Sequence, residues 1–377
     1  MDSQHVYTFP SIRGIQAERH YYASMCPLSM IPKIFMFDSE DTGLPADLRA
    51  QRVLNRNRIP EIADYILQNP DNYAFSAITA SIDGKIKFEP TGGEDNSEVG
   101  LLHIPMDAKF IINDGQHRHA AIKTALKADP NLGSESIAVV FFVDRGLERC
   151  QQMFADLNRH SVRPSKSLGV LYDYRDDMAI VARTLILKSR IFKDLIEMER
   201  NSLALRSRKL FTLSSIHSAT KALLEGMVEL NKKEIDNEII LAEINKASKI
   251  AIEFWETLAS HIPEWEDVRK RKVNSSEIRS EYIHTHGITL QAIGRMGNAL
   301  LKDHPDNWQD KLTKIEAIDW SRSNPDWEGR AMIGGKFTKA YYNIYLTSAY
   351  IKHALGLTLT AEEVKAEETL RQTRNGS

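Results

Sequence analysis

Apolar positions recur with two different periods along this chain, and the change of period divides it. In the first half, short runs rich in β-branched and aromatic residues predict strands at Ile31 to Asp38 (IPKIFMFD), Phe75 to Ile82 (FSAITASI), Ala108 to Asn113 (AKFIIN) and Ile137 to Val143 (IAVVFFV). Between the first two, Leu48 to Gln68 repeats apolar residues at helical spacing. A new helix is expected to start near Pro60, and Asn69-Pro70-Asp71 ends it. Asp83-Gly84 predicts a hairpin turn with Lys85 to Phe88 as the returning strand, and Thr91 to Gly100 a loop. Helices are predicted over Gln116 to Lys127 and Leu147 to Leu157.

Beyond about Tyr174 long amphipathic stretches take over: Met178 to Glu199, Leu213 to Leu230, Glu238 to Ser260 and Ile288 to Leu301. The mixed-charge tail after Thr360 reads as a solvated helix. The expected fold is therefore α+β. A mixed α/β domain is expected over residues 1–175 and a mainly α-helical domain over 176–377.

Length and composition agree with two ordinary globular domains: 377 residues, 42% of them hydrophobic. Lysine and arginine number 49 against 51 acidic residues, for a formal charge of −2, so no global positive field draws the chain to nucleic acid. Any polyanion site must be a local patch. Two cysteines, Cys26 and Cys150, provide no disulfide framework and suit a reducing compartment, so a cytoplasmic location is expected. Met1 to Pro10 lacks a basic segment followed by an apolar core, and no apolar run approaches the roughly 20 residues of a membrane helix. Neither export nor membrane insertion is expected.

The densest polar chemistry lies at Asn113 to His119 (NDGQHRH), on the expected strand-to-helix turn. Gly115 would let the backbone approach a ligand, and the amides that open the helix would favour an anion such as phosphate. There Arg118 could grip phosphate with paired donors, with Gln116 beside it. Asp114 could hold a metal, orient His117 or polarise water. The competing reading is structural: Asp114 caps the helix, and His117 and Arg118 are surface side chains.

A second cluster, Asp156 to Lys166 (DLNRHSVRPSK), places Asn158, Arg159, His160, Arg163 and Lys166 on an expected loop that could clamp phosphate or DNA; a solvated loop is the alternative. A third region, Arg183 to Lys209, carries eight basic residues against three acidic ones. Its tightest group, Arg206-Ser207-Arg208-Lys209, could contact DNA backbone and lead the helix from Leu213 into a groove. Arg269-Lys270-Arg271-Lys272 is equally compact, but Glu264, Glu266 and Asp267 precede it and are expected to weaken its field. His284 and His286 lack a clear third ligand and are read as packing or helix-start residues, so no metal site is assigned. Cys26 is read as packed.

The pentapeptide Asp114-Gly115-Gln116-His117-Arg118 matches the signature of the DGQHR-domain family. Within it the chain resembles the DndB family of DNA sulfur modification proteins, through SIRGIQ at Ser11 to Gln16, MCPLSMIPKIFMF at Met25 to Phe37, NRIPEIADYI at Asn57 to Ile66, FSAITASIDG at Phe75 to Gly84 and FADLNRHSVRPSKSL at Phe154 to Leu168. These segments cover most of the first half; the second half has no comparably distinctive motif. The resemblance implies a core related to the ParB and sulfiredoxin folds, in which such a turn contacts nucleotide phosphates, here at Asp114 to Arg118. It implies a repressor that binds the promoter of the operon replacing a non-bridging DNA phosphate oxygen with sulfur. Double-stranded DNA is then the expected partner, with other DNA sulfur modification proteins and a second copy of the chain as further candidates. ATP or another nucleotide with Mg is the cofactor left open. Two alternatives stand beside this reading: a nucleotide hydrolase coupled to DNA nicking, with Asp114 and His117 catalytic, and an interaction scaffold of the modification complex.

Overall fold

The computed structural model describes residues 5–35, 58–93, 97–145, 149–159, 164–231, 236–338 and 340–375. It divides into two compact units, Met1–Val162 and Arg163–Ser377.

The first unit is built on a seven-stranded sheet. Its strands are β1 (Val6–Gln16), β2 (Arg19–Pro27), β3 (Ile78–Asp83), β4 (Lys87–Pro90), β5 (Val99–Pro105), β6 (Lys109–Asp114) and β7 (Ser136–Val143), in the spatial order β4-β5-β1-β2-β7-β3-β6. All neighbours are antiparallel except β3 and β7. Alternation sets one face of each strand into a core of Phe9, Tyr22, Cys26, Ile78, Ala80, Ile82, Leu102, Phe110, Val139 and Phe141. Helices α1 (Ile31–Ile34), α2 (Arg58–Gln68) and α3 (Gln116–Ala128) contribute Ile31, Ile34, Ile66, Ile122 and Ala125 to it. Helix α4 (Cys150–Arg159) packs against β6. Cys26 is fully buried, as expected, and burial pushes its thiol up to about 12.

Two expectations fail here. Ile31 to Ile34 is helical rather than extended, because Pro32 in the first turn presets a helical φ and Ile31 and Ile34, with Phe35 just after the helix, then reach the core; Met36 to Asp38 lie outside the described residues. The Asp83-Gly84 hairpin is absent, since β3 pairs with β6 and β7 while β4 pairs with β5. A strand as buried as β3 demands neighbours on both sides. Gly84 serves a close pass instead, for a Cβ there would lie 2.9 Å from the Ala108 Cβ.

The second unit is helical. Its helices are α5 (Lys166–Tyr172), α6 (Asp177–Lys188), α7 (Leu213–Leu224), α8 (Asn237–Ser260), α9 (Pro263–Arg269), α10 (Ser275–Glu281), α11 (Gly287–Asp303), α12 (Trp308–Leu312), α13 (Tyr341–Leu355) and α14 (Ala361–Asn375). Two small ribbons, β8 (Ile196–Glu197) with β9 (Phe211–Thr212) and β10 (Met332–Ile333) with β11 (Lys336–Phe337), complete it. Helices α7 and α11 cross closely at Gly294, whose Cβ would meet the Ala219 carbonyl oxygen at 2.1 Å. Trp255 and Trp265 fill the space around Phe192 and Phe211.

Helix α6 stops at Lys188 instead of running to Glu199, because Glu256 accepts from the Ser189 hydroxyl and from the Ile191 amide at 3.0 Å, fixing the exit turn. The tail is helical but not merely solvated. Glu363 is fully buried and pairs with Lys352 at 2.8 Å, and Glu367 pairs with Arg330 at 2.8 Å. Among the described residues, no helix is long and apolar enough to cross a membrane.

Candidate functional site

The conspicuous turn of the first unit has the expected form: β6 ends at Asp114, Gly115 turns the chain, and α3 begins at Gln116. Gly115 has φ +107°, a left-handed conformation that L side chains resist, and a Cβ there would press on the Arg118 guanidinium at 3.1 Å and on Ile78 at 3.1 Å. No side chain caps α3.

The charges of this turn are turned on one another. Arg118 donates through Nη2 to Asp114 Oδ2 at 2.6 Å and through Nη1 to the Ser76 hydroxyl, and its side chain is 16% exposed. It therefore ties the start of α3 to the segment entering β3. Gln116 donates to the Ile112 carbonyl at 3.1 Å. His117 is held below its ordinary value, first by burial and then by the Arg58 charge, so its imidazole is neutral at pH 7. Behind the turn, the Asn113 amide donates to the Ser81 hydroxyl at 2.8 Å, and its side chain is buried against Met153 of α4.

The second cluster is not one loop. Asn158 and Arg159 close α4, with side chains outside the described residues; His160 to Arg163 lie outside them altogether. Lys166 opens α5 in the second unit, where Ser165 caps the helix by accepting from the Leu168 amide at 3.0 Å.

That helix start is stitched to the third basic region. The Ser165 hydroxyl donates to the Glu199 carbonyl and the Ser167 hydroxyl to the Arg200 carbonyl at 2.9 Å, while the Ser167 amide donates to Asn201 Oδ1 at 3.2 Å. Lys166 and Arg200 are both exposed.

The chain then runs through a β-turn, Ala204 to Ser207, closed by the Ser207 amide on the Ala204 carbonyl at 2.9 Å. Arg279 of α10 holds this turn from behind. Its Nη2 donates to the carbonyls of Leu205 at 2.9 Å, Ala204 at 3.0 Å and Ser207 at 3.4 Å, and its Nε to the Ser275 carbonyl at 3.2 Å. The Ser275 hydroxyl donates to the Arg208 carbonyl at 2.7 Å. With the carbonyls drawn inward, the side chains of Leu205, Arg206 and Arg208 stand in solvent. Neither arginine is paired with a described residue. Lys209 is half-buried, and its Nζ donates to the Asp194 carbonyl at 2.9 Å.

Other cations of this region have structural duties. Arg183 donates to the carbonyls of Val170 and Asp173, both at 2.7 Å, and lies over the Tyr174 ring. Arg190 faces Glu256 at 3.8 Å. Helix α7, which begins at Leu213, buries Leu213, Ile216, Ala219 and Leu223 in the core, and of its side chains only Lys221 is exposed.

The run at Arg269 is neutralised as its acidic neighbours suggest. Glu266 pairs with Arg269 at 2.6 Å and Lys270 at 3.2 Å, and Asp267 with Lys272 at 2.9 Å. Arg269 first, then Lys270, holds the Glu266 carboxyl down at about 2. His284 is buried and accepts from the Trp265 indole at 3.0 Å, while His286 donates to the Arg279 carbonyl at 2.9 Å, so both serve packing. Among the described residues no group of three or more His, Cys, Asp or Glu is placed to hold a metal ion.

Sequence reasoning missed Arg279, Ser275, Ser165 and Ser167. None forms a motif, and their importance lies in bonding to carbonyls distant in sequence.

The DndB family model, described as DNA-sulfur modification-associated, matches residues 9–358 and so spans both units. No curated protein and no solved structure matches the chain.

Proposed function

The chain belongs to the DndB family of DNA-sulfur modification-associated proteins, and we propose that it is a DNA-binding repressor of the phosphorothioate-modification operon. The supporting observation is a set of exposed cations in the second unit: Arg206 and Arg208 on the turn held by Arg279 and Ser275, and Lys166 and Arg200 where Ser165 and Ser167 bind the carbonyls of Glu199 and Arg200. A near-neutral protein can bind a polyanion only where cations are left unspent and held together, because each neutralised phosphate releases counterion while the ordering of long side chains opposes binding. Lys209 would support that turn through its bond to the Asp194 carbonyl.

The test is binding of the operon promoter against a scrambled duplex of equal length at physiological salt. Promoter binding at least about a hundredfold tighter is expected of a specific repressor. Equal affinity for the two duplexes rules out sequence-specific repression.

One observation favours a second reading, nucleotide hydrolysis at the Asp114 turn: His117 is neutral, and so able to accept a proton, beside an uncapped helix start. The uncapped amides fit a phosphate and Asp114 could hold its Mg. Against it, Arg118 already binds Asp114 and Ser76. Turnover of ATP abolished by Asp114→Ala, with promoter binding retained, would establish this second activity; no turnover by the unaltered protein would dismiss it.

A further inference from the structure

Leu205 is the most solvent-exposed of the large apolar side chains described, at 88%. A single exposed leucine on a mobile loop would need no explanation. This one occupies a corner of the Ala204–Ser207 turn, beside Arg206 at the other corner, and three carbonyls of the turn are tied to one guanidinium behind it. Arg279 itself is drawn inward, and burial lowers its pKa. The turn is therefore a held tip carrying one apolar side chain beside two arginines, at 206 and 208, that pair with no described residue.

This combination suits one feature of duplex DNA. The major groove takes a helix or a two-stranded ribbon, but α7, the helix that follows this loop, presents only Lys221 as an exposed side chain and packs Leu213, Ile216, Ala219 and Leu223 into the core. The narrow minor groove attracts arginine through its concentrated negative potential, and apolar wedges such as leucine enter base steps from that side.

Resting on the promoter reading above, we infer that the Ala204–Ser207 turn enters the minor groove of the operator, where Leu205 wedges between two base pairs and kinks the duplex while Arg206 and Arg208 hold the groove walls. Arg279 acts as a positioning residue: it touches no DNA but fixes the direction in which Leu205 points. Specificity then arises in part from how easily a given step unstacks, and flexible pyrimidine–purine steps are favoured.

The test measures the bend of the promoter duplex by end-to-end fluorescence transfer and circular-permutation mobility, with the full-length protein and its Leu205→Ala and Leu205→Phe variants. The unaltered protein is expected to bend the duplex by about 20–90°. Leu205→Ala should lose at least half of that bend while still binding the promoter, and Leu205→Phe should retain it. Because the side chain lies in solvent, tryptophan fluorescence should be the same for all three, which separates loss of the wedge from loss of the fold. A Leu205→Ala protein that bends the promoter like the unaltered chain overturns the wedge, and that result is also expected if Leu205 instead meets a protein partner. An unaltered protein that binds the promoter without bending it overturns the wedge but leaves the promoter reading standing. Absence of any duplex binding overturns both.

Discussion

Arg206-Ser207-Arg208-Lys209 and Arg269-Lys270-Arg271-Lys272 are alike as sequence, two compact basic runs in the same helical unit, yet the fold treats them oppositely. Arg269, Lys270 and Lys272 sit three to five residues from Glu266 and Asp267 and close ion pairs with them. The earlier run has its main chain bound instead of its charges: Arg279 and Ser275 take the carbonyls, and the guanidiniums of Arg206 and Arg208 are left outside. A basic run becomes available to a polyanion when its backbone, rather than its side chains, satisfies the protein. The Asp114 turn is a third case, in which Arg118 is spent within its own motif.

Acid should separate the two runs most strongly. His284 and His286 lie behind the Arg279 clamp, and burial foremost pushes them from an ordinary 6.5 to about 3 and about 4. Glu264 stands 3.7 Å from His284 Nε2, too far for a hydrogen bond, so burial prevails and the ring stays neutral. The unfolded chain takes up these protons below about pH 6.5 and the folded chain does not. The stability they contribute is thus present above pH 6.5 and lost as pH falls toward 4. Between pH 7 and 5 the helical unit should lose about 2 kcal/mol per histidine. All five tryptophans lie in this unit, so their fluorescence during urea unfolding reads it directly. The Arg269–Glu266 pair behaves differently: with its carboxyl at about 2, it should survive until the pH approaches that value. An urea midpoint that does not move between pH 7 and 5 would contradict the neutral histidines.

Next in size is Gly115→Ala. Its φ of +107° and the Arg118 guanidinium 3.1 Å from the added Cβ should cost the first unit about 1–3 kcal/mol, read by circular dichroism at a fixed urea concentration. Promoter affinity should fall only as far as that unit unfolds. The smallest effect is expected from the triple variant Arg269→Ala, Lys270→Ala, Lys272→Ala: promoter affinity should change by less than about twofold, since paired surface charges add little field. A tenfold loss would show that both runs face DNA and would erase the contrast between them.

Periodicity made much of this architecture legible. The strand over Ile137 to Val143, the long helix ending at Ser260 and the strand, glycine and helix around Gly115 all form close to where the pattern places them. It failed where tertiary partners decide. Ile31 to Phe35 has β-branched and aromatic content, but Pro32 and the core spacing make Ile31 to Ile34 a helix. Asp83-Gly84 has hairpin composition, but sheet order sends its flanking strands to different neighbours. The tail reads as solvated because Lys352 and Arg330, the partners of its buried glutamates, lie in earlier segments. The basic residues at 206 and 208 were visible as composition. Their availability was not, because it depends on Arg279 reaching back more than 70 residues to carbonyls that carry no sequence signature.

The salt dependence of promoter affinity, compared between the unaltered protein and the Arg206→Ala, Arg208→Ala double variant, tests the account most directly. Loss of two phosphate-facing guanidiniums should weaken binding about thirtyfold or more near 0.1 M salt and flatten the slope of log affinity against log salt by about 1.8. The same affinity and slope in both proteins would contradict the claim that this clamped turn is where the duplex docks.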